Sequence, residues 1–437
     1  MFGTLALLAC QVGSQNLLPI EIEGMLCHPN RLMVKVDSME TAHELTERGY
    51  RLTKSFPKIN WVVVETDPSQ LRATRSSLSL EPGVKLVAFD RAAVPTYTPN
   101  DAKWVDMWHA RTIKADLAWD ISFGNVQSVT VAIIDTGVNT AHPDLAANLW
   151  RNKAETAGNS IDDDGNGYVD DINGYDFAYN DPIPNDVNGH GTACAGLAAA
   201  VQDNTIGVTG VAPKAKIMCL KASIDSGYFY DSNNVGAYLY ALDNGAKVIS
   251  CSFFSDRVSQ IERDAIDALW AGGVLPVVAA GNDNSVVPFY PAAYEKSLAV
   301  AATDQNDNRA GFSNFGSWVD VACPGVALRS TTAAGGYTDG FGGTSGACPQ
   351  VAGLAALLLG AVPGTTNADL RACIEDTATA LTTDFSKDGL INCQKAMQTL
   401  KGLLLPAVKS PKVNYMTPVI AAVGSGQFMN ARLYGRG

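Results

Sequence analysis

Four polar side chains stand where this chain should present them to chemistry. Ser345 lies in Gly342-Gly-Thr-Ser-Gly346, directly ahead of an apolar run through Val351, Leu354, Ala355, Leu357, Leu358 and Leu359. A run apolar nearly all round predicts a buried helix. Pro349 fits its first turn, where a missing N–H has no partner to lose. The Ser345 hydroxyl then sits beside free N–H groups at the positive end of a helix, which suits a nucleophile whose attack creates an oxyanion. An ordinary N-cap serine fits the same window. His190, one of five histidines, opens a second small-residue helix in Asn188-Gly-His-Gly-Thr192. Its flanking glycines imply close backbone approach. Asp135 ends one apolar run, where a turn aspartate is the plainer reading, and Asn282 follows another. Together the four supply acid, base, oxyanion donor and nucleophile for an acyl transfer.

The elements that must hold them are legible as short apolar runs at 129–134, 216–220, 247–251 and 274–280, with helical segments at 235–244 and 261–271. Such alternation predicts α/β architecture, a parallel sheet flanked by helices. Ligands on these sheets bind beyond the carboxyl ends of the strands. The chain of 437 residues is long enough for one large domain and a smaller one. Its net charge of −12 argues against a nucleic-acid partner. No run of about 18 apolar residues occurs, so no membrane-spanning helix is expected.

Residues 1–16 have the short apolar core and small residues of a signal peptide, without a basic start. Over 25–97 the pattern shifts. Strand-like runs at 31–36, 61–65 and 84–89 and helix-like segments at 38–48 and 68–79 suggest a small β-α-β-β-α-β ferredoxin-like module. It carries ten basic against eight acidic side chains, while 98–437 holds the whole −12. Pro95 to Asn100 reads as a linker, 101–400 as the large domain, and 401–437 as a tail to which no function is assigned.

The windows Asp135-Thr-Gly-Val-Asn-Thr-Ala-His-Pro-Asp-Leu145, Gly189-His-Gly-Thr192 and Gly343-Thr-Ser345 with Pro349 resemble the three signature boxes of subtilisin-like serine proteases. The order Asp, His, Ser matches that family, whereas an α/β-hydrolase esterase runs Ser, Asp, His and needs Gly-x-Ser-x-Gly, which Ala347 breaks. The resemblance implies that Ser345 attacks a peptide carbonyl, His190 shuttles the proton, Asp135 orients the ring, and Asn282 with the Ser345 N–H stabilises the oxyanion. It implies a secreted, monomeric endopeptidase acting on polypeptides. Residues 25–97 become an inhibitory propeptide, released by cleavage within about 91–103. The competing class is a non-catalytic protein that keeps the groove; the intact tetrad speaks against it.

Three stretches depart from the family pattern. Gly346 stands where methionine commonly follows the serine, and Ala193 where a second histidine often sits. Ser252-Phe253-Phe254-Ser255 replaces the usual Ser-x-Gly-Gly of the substrate-pairing strand. With Ala280 and Gly281 lining the groove, Phe254 is expected to narrow the pocket for the residue before the scissile bond (P1), and Phe289 to fill its base. Small P1 residues should be preferred.

Calcium is suggested twice. Asp162, Asp164 and Asn166 with Gly167 match the opening of a Ca²⁺ loop, and Tyr168, Asp170 and Asp171 complete the candidate set, although Asn173 replaces the closing Glu. An acidic solvated turn is the plain alternative. Separately, 202–208 resembles the family's high-affinity calcium loop, which implies ligands at Gln202, Asn204, Ile206 and Val208 together with Asp144. Of nine cysteines, Cys194, Cys219, Cys251, Cys323 and Cys348 read as small buried hydrophobes. Cys373 and Cys393 are the expected disulfide if the protein is exported.

Overall fold

The computed structural model describes residues 19–402 apart from 23–24, 93–96, 123–125 and 384. The expected signal segment 1–16 and tail residues 403–437 lie outside the described residues. Within 19–92 five strands form one antiparallel sheet: β1 (Ile20–Ile22), β2 (Met25–Val36), β3 (Arg51–Phe56), β4 (Trp61–Glu65) and β5 (Val84–Arg91). Helices α1 (Met39–Glu47) and α2 (Leu71–Leu78) complete the module. From β2 onward the order is β-α-β-β-α-β and the strands lie β3-β4-β2-β5, the arrangement expected. β3 gives little hydrophobic signal because all its residues but Leu52 are exposed. Leu32, Val34, Leu45, Val62, Val64, Leu71, Leu78 and Phe89 make its core. Ser38 caps α1 by accepting from the Thr41 N–H.

The larger part begins with α3 (Trp108–Thr112) and α4 (Ala115–Ser122). β6 (Thr130–Asp135) and β7 (Gly174–Asp176) follow, then α5 (His190–Ala199), β8 (Lys216–Lys221), α6 (Asp231–Asp243), β9 (Val248–Cys251), α7 (Gln260–Ala271) and β10 (Leu275–Ala279). β11 (Leu298–Thr303), β12 (Val321–Pro324) and the hairpin of β13 (Leu328–Thr331) and β14 (Tyr337–Phe341) come next. α8 (Thr344–Ala361), α9 (Asn367–Thr377), β15 (Gly389–Leu390) and α10 (Cys393–Leu400) close it. Eight strands form a parallel sheet in the order β15-β12-β11-β10-β9-β6-β8-β7. β6 is central: the chain builds β7 and β8 on one side of it and β9 to β12 on the other. Such a switch leaves a crevice at the carboxyl end of β6, and Asp135 is its last residue.

Both faces of the sheet are covered. Ala132, Ile134, Met218 and Leu220 pack under α6 and α7, and Val131, Ile133, Ile217 and Val277 pack under α5 and α8. α8 has the length and mean hydropathy, 1.3, of a membrane span, but 89% of it is buried inside the protein. It is a core helix, and each fully covered leucine in it contributes about 1.5–3 kcal/mol.

Two expectations are corrected. α8 begins at Thr344, so Pro349 is its sixth residue, inside the helix rather than in the first turn. Cys373 and Cys393 form no disulfide. The Cys373 Sγ–H donates to the Ala396 carbonyl at 3.3 Å, and Cys393 is fully buried.

Candidate active site

The carboxyl ends of β6, β9 and β10 and the N-termini of α5 and α8 converge on one crevice. Asp135 is 1% exposed, and its Oδ1 accepts from His190 Nδ1 at 2.7 Å and from the Thr136 N–H at 2.7 Å. A carboxylate accepting at Nδ1 fixes the proton there and leaves Nε2 as the free base. Burial opposes a charge on the imidazole. The charge and hydrogen bond of Asp135, with Asp186 behind, outweigh it, so the ring titrates above its ordinary value. The Phe341 ring meets His190 edge-on at 5.4 Å.

Asp186 organises the turn into α5. Its Oδ1 accepts from the Thr136 hydroxyl and the N–H groups of Asn188 and Gly189, and its Oδ2 from the Thr192 N–H and hydroxyl. Gly191 is the close approach that the flanking glycines implied. A Cβ there would lie 2.2 Å from the Gly137 carbonyl oxygen and 2.9 Å from the Asp135 Cβ.

Ser345 is the second residue of α8 and 8% exposed. Its N–H belongs to the first turn, whose donors have no intrahelical acceptor. Its Oγ–H donates to the Ser252 carbonyl at 3.3 Å, and no hydrogen bond joins it to His190 among the described residues. Cys194 links the two, with Sγ 3.5 Å from the Ser345 carbonyl oxygen and 3.9 Å from His190 Nδ1. The Asn282 Oδ1 accepts from the Thr344 N–H at 2.8 Å and the Thr344 hydroxyl at 3.1 Å. With its oxygen occupied there, the Asn282 Nδ2 is the atom left to donate near the Ser345 N–H. Gly346 is explained by packing: a Cβ would lie 2.5 Å from the Leu328 side chain, which fills the room a larger residue needs.

Ser252 to Ser255 leave the end of β9 and run along the crevice. Phe253 is buried and stacks on Phe229 at 4.3 Å and 17°. Phe254 is 41% exposed and meets Phe289 edge-on at 5.2 Å. Ser255 and Tyr290 exchange backbone hydrogen bonds of 2.7 and 2.9 Å, holding the two aromatics in register. Ala280 is fully buried, and Gly281, at φ +100°, lets the chain turn toward Asn282 past Phe254.

Asp144 is fully buried. Its Oδ1 accepts from Asn204 Nδ2 and its Oδ2 from the Val208 N–H. Asp101, which the sequence did not single out, joins it. Burial, then the nearby charges of Asp203 and Asp144, push Asp101 up to about 6 against the pull of backbone N–H groups. Its Oδ1 is buried without a partner, and no ion pair reaches Asp101, Asp144 or Asp203 among the described residues. Two buried carboxylates beside a turn of 202–208 form a hard-oxygen donor set that fits Ca²⁺; a half-turn of the Asn204 amide adds its oxygen. Gln202 Nε2 is likewise buried and unpartnered.

In the acidic loop, oxygens of Glu155, Asp162 and Asp164 lie within 4.8 Å of one another. Glu155 supplies a carboxylate that no loop motif predicts. Asp170 faces elsewhere, accepting from the N–H groups of Gly158, Asn159 and Ser160. Asp171 is taken by Asn152, Asn166 and the Tyr240 hydroxyl, while the Tyr168 ring packs on Tyr175, Phe177 and Tyr240.

The fold and this crevice are those of a serine hydrolase built on a parallel α/β sheet. The model of the subtilase family of peptidases matches residues 127–396, and the chain belongs to that family of serine endopeptidases. It is 40% identical over 305 residues to thermitase from Thermoactinomyces vulgaris, covering 69% of this chain and 100% of thermitase. It is 35% identical over 366 residues to a thermophilic serine proteinase of Bacillus sp. strain AK1, covering 83% and 85% respectively. Among solved structures, a protease from Pseudoalteromonas arctica superposes with a TM-score of 0.59 at 27% identity, over 70% of this chain and 100% of that one.

Proposed function

We propose that this chain is a secreted, calcium-stabilised endopeptidase made as a self-processing zymogen, with Asp135, His190, Ser345 and Asn282 as its catalytic set. The observation that carries the reading is the 2.7 Å Asp135–His190 pair, held at the mouth of the crevice that Ser345 occupies. Rotation of the Ser345 hydroxyl off the Ser252 carbonyl gives its proton to His190 Nε2 as Oγ attacks the peptide carbonyl. Asp135 stabilises the imidazolium, and Asn282 Nδ2 and the Ser345 N–H receive the oxyanion. The imidazolium returns the proton to the leaving amine, and water, deprotonated by the same nitrogen, releases the acyl group.

Substrate backbone lies along Ser252 to Ser255 and Ala280 to Gly281, and the Phe254–Phe289 pair restricts P1 to small side chains. Asp101, Asp144 and Asn204, with carbonyls of Gln202, Ile206 and Val208, hold one Ca²⁺; Asp162, Asp164 and Glu155 favour a second. Bound calcium neutralises these carboxylates and ties the 202–208 turn to the segment before α3, so chelation by EDTA should lower the melting temperature. An unchanged melting temperature removes both calcium sites. The 19–92 module is the propeptide, and the mature enzyme works as a monomer. Hydrolysis of casein and N-terminal sequencing of the product test the reading. The expected result is cleavage within about 91–103 in the wild type and none in Ser345→Ala; processing by Ser345→Ala refutes it.

A further inference from the structure

The position of Pro349 inside α8 has a chemical consequence for the residue one turn earlier. In an α-helix the carbonyl of residue i accepts from the N–H of residue i+4. For Ser345 that residue is Pro349, which has no N–H and whose ring crowds the same carbonyl. A buried carbonyl without a donor costs as much as a lost hydrogen bond. Two side chains from other elements reach it: the Ser252 Oγ–H at 3.2 Å, from the end of β9, and the Cys194 Sγ–H at 3.5 Å, from α5. Ser345 and Ser252 are thus paired reciprocally, since the Ser345 Oγ–H donates to the Ser252 carbonyl at 3.3 Å.

We propose that Ser252 and Cys194 are positioning residues for the nucleophile, their side chains replacing the helical N–H that Pro349 lacks and fixing the Ser345 backbone against His190. The inference rests on Ser345 being the nucleophile. It assigns the Ser252 side chain a duty separate from the backbone of the substrate strand, because pairing with a peptide needs only main-chain atoms of residue 252. It also gives Cys194 a duty beyond filling the core. Burial first, and then the Asp135 charge, raise its thiol well above the usual range, so it stays S–H and can donate. Cys194 sits one turn after His190 on α5. One donor therefore comes from the element that carries the base and the other from the strand beside the groove, tying the nucleophile to both.

A small fluorophosphonate with no peptide portion reads nucleophile placement without the substrate groove. Its second-order rate of phosphonylation is measured on the processed enzyme and its variants, with kcat and KM for a peptide substrate. Misplacing a reacting group by about 1 Å costs up to about a hundredfold, so Ser252→Ala should be phosphonylated about tenfold to a hundredfold more slowly, with kcat falling and KM little changed. Ser252→Thr, which keeps the hydroxyl, should return most of that rate. Cys194→Ala removes a weaker donor and should cost about fivefold. Pro349→Ala restores an N–H to the Ser345 carbonyl, so the double variant Ser252→Ala/Pro349→Ala should react faster than Ser252→Ala alone.

Phosphonylation of Ser252→Ala at the wild-type rate overturns the proposal. So does a folded double variant, judged by its melting temperature, that is no faster than the single one. If the double variant does not fold, the comparison of Ser252→Thr with Ser252→Ala decides, and equal rates overturn the proposal. A wild-type enzyme that the reagent does not label refutes the serine nucleophile itself, and this inference with it.

Discussion

Replacing Phe254 with alanine should redirect the enzyme toward aromatic P1 residues. Phe254 is 41% exposed, so about three-fifths of its side chain is covered, part of it by the edge-on contact with Phe289 at 5.2 Å. A fully covered aromatic side chain buries about 150–250 Å², so truncation frees roughly 100 Å² of apolar contact surface beside the nucleophile. A substrate phenyl ring that takes this space gains about 2.5 kcal/mol at ~25 cal/mol per Å². If that gain is fully expressed in the transition state, kcat/KM for phenylalanine at P1 rises about seventyfold relative to alanine at P1. The stability cost should be modest, about 1 kcal/mol, because the ring is half open to solvent and the lost aromatic pair is worth about 0.5–1.5 kcal/mol. The assay is kcat/KM on matched tetrapeptide nitroanilides with alanine or phenylalanine before the scissile bond. A wild-type enzyme that already cuts the phenylalanine peptide faster refutes the blocking role. A Phe254→Ala ratio within about threefold of the wild type does the same.

Asn282→Leu keeps the side chain's size and removes one oxyanion donor, so kcat should fall about 10²–10³-fold, and a kcat within tenfold of wild type would exclude Asn282 from that role. His190 titrates above its ordinary 6.5 and must be neutral to act as base, so activity should fall as pH drops through a value above 6.5. Asp135→Asn removes the charge that raises the ring, and should move this acidic limb to lower pH while cutting kcat by about 10⁴; a pH–rate profile that does not move counts against the pair. Glu262 is 3% exposed and burial, then the charge of Asp231, lifts it from 4.5 to about 7 against donors from Tyr238, Tyr294 and Asn234. Its folded value exceeds the unfolded one, so its contribution to stability is complete below pH 4.5 and is lost as pH rises through 7. Glu262→Gln should therefore stabilise the protein at pH 8 by about 1–3 kcal/mol and not at pH 4, as thermal melts at both pH values would show.

Much of this was readable because the site residues stand at strand and helix ends that apolar runs mark. β6, β8, β9 and β10 are largely apolar since both of their faces are buried; Asp135 ends β6, and Asn282 lies three residues beyond the end of β10. Asp186, Cys194, Asp101 and Glu155 were not legible. Each lies in a loop or a uniform small-residue helix, and each matters through partners distant in sequence, as when Asp186 reaches Thr136. Pro349 was misread for a local reason. Gly343-Thr-Ser345 looks like a loop, but the Asn282 Oδ1 and the Gly325 carbonyl accept from the Thr344 and Gly343 N–H groups and hold its backbone so that α8 starts five residues before the proline. β3 escaped because an exposed strand shows no alternation. That Cys373 and Cys393 form no disulfide is not legible in the sequence: they lie on different helices, α9 and α10, and the Cys373 Sγ–H is engaged by the Ala396 carbonyl.

The most direct measurement is mass-spectrometric mapping of fluorophosphonate label on the processed wild type and on Ser345→Ala. A single phosphonylated serine at position 345 in the wild type, and an unlabelled Ser345→Ala with an unchanged melting temperature, is the expected result. Label on another residue, or equal labelling of Ser345→Ala, contradicts the assignment of Ser345 as nucleophile.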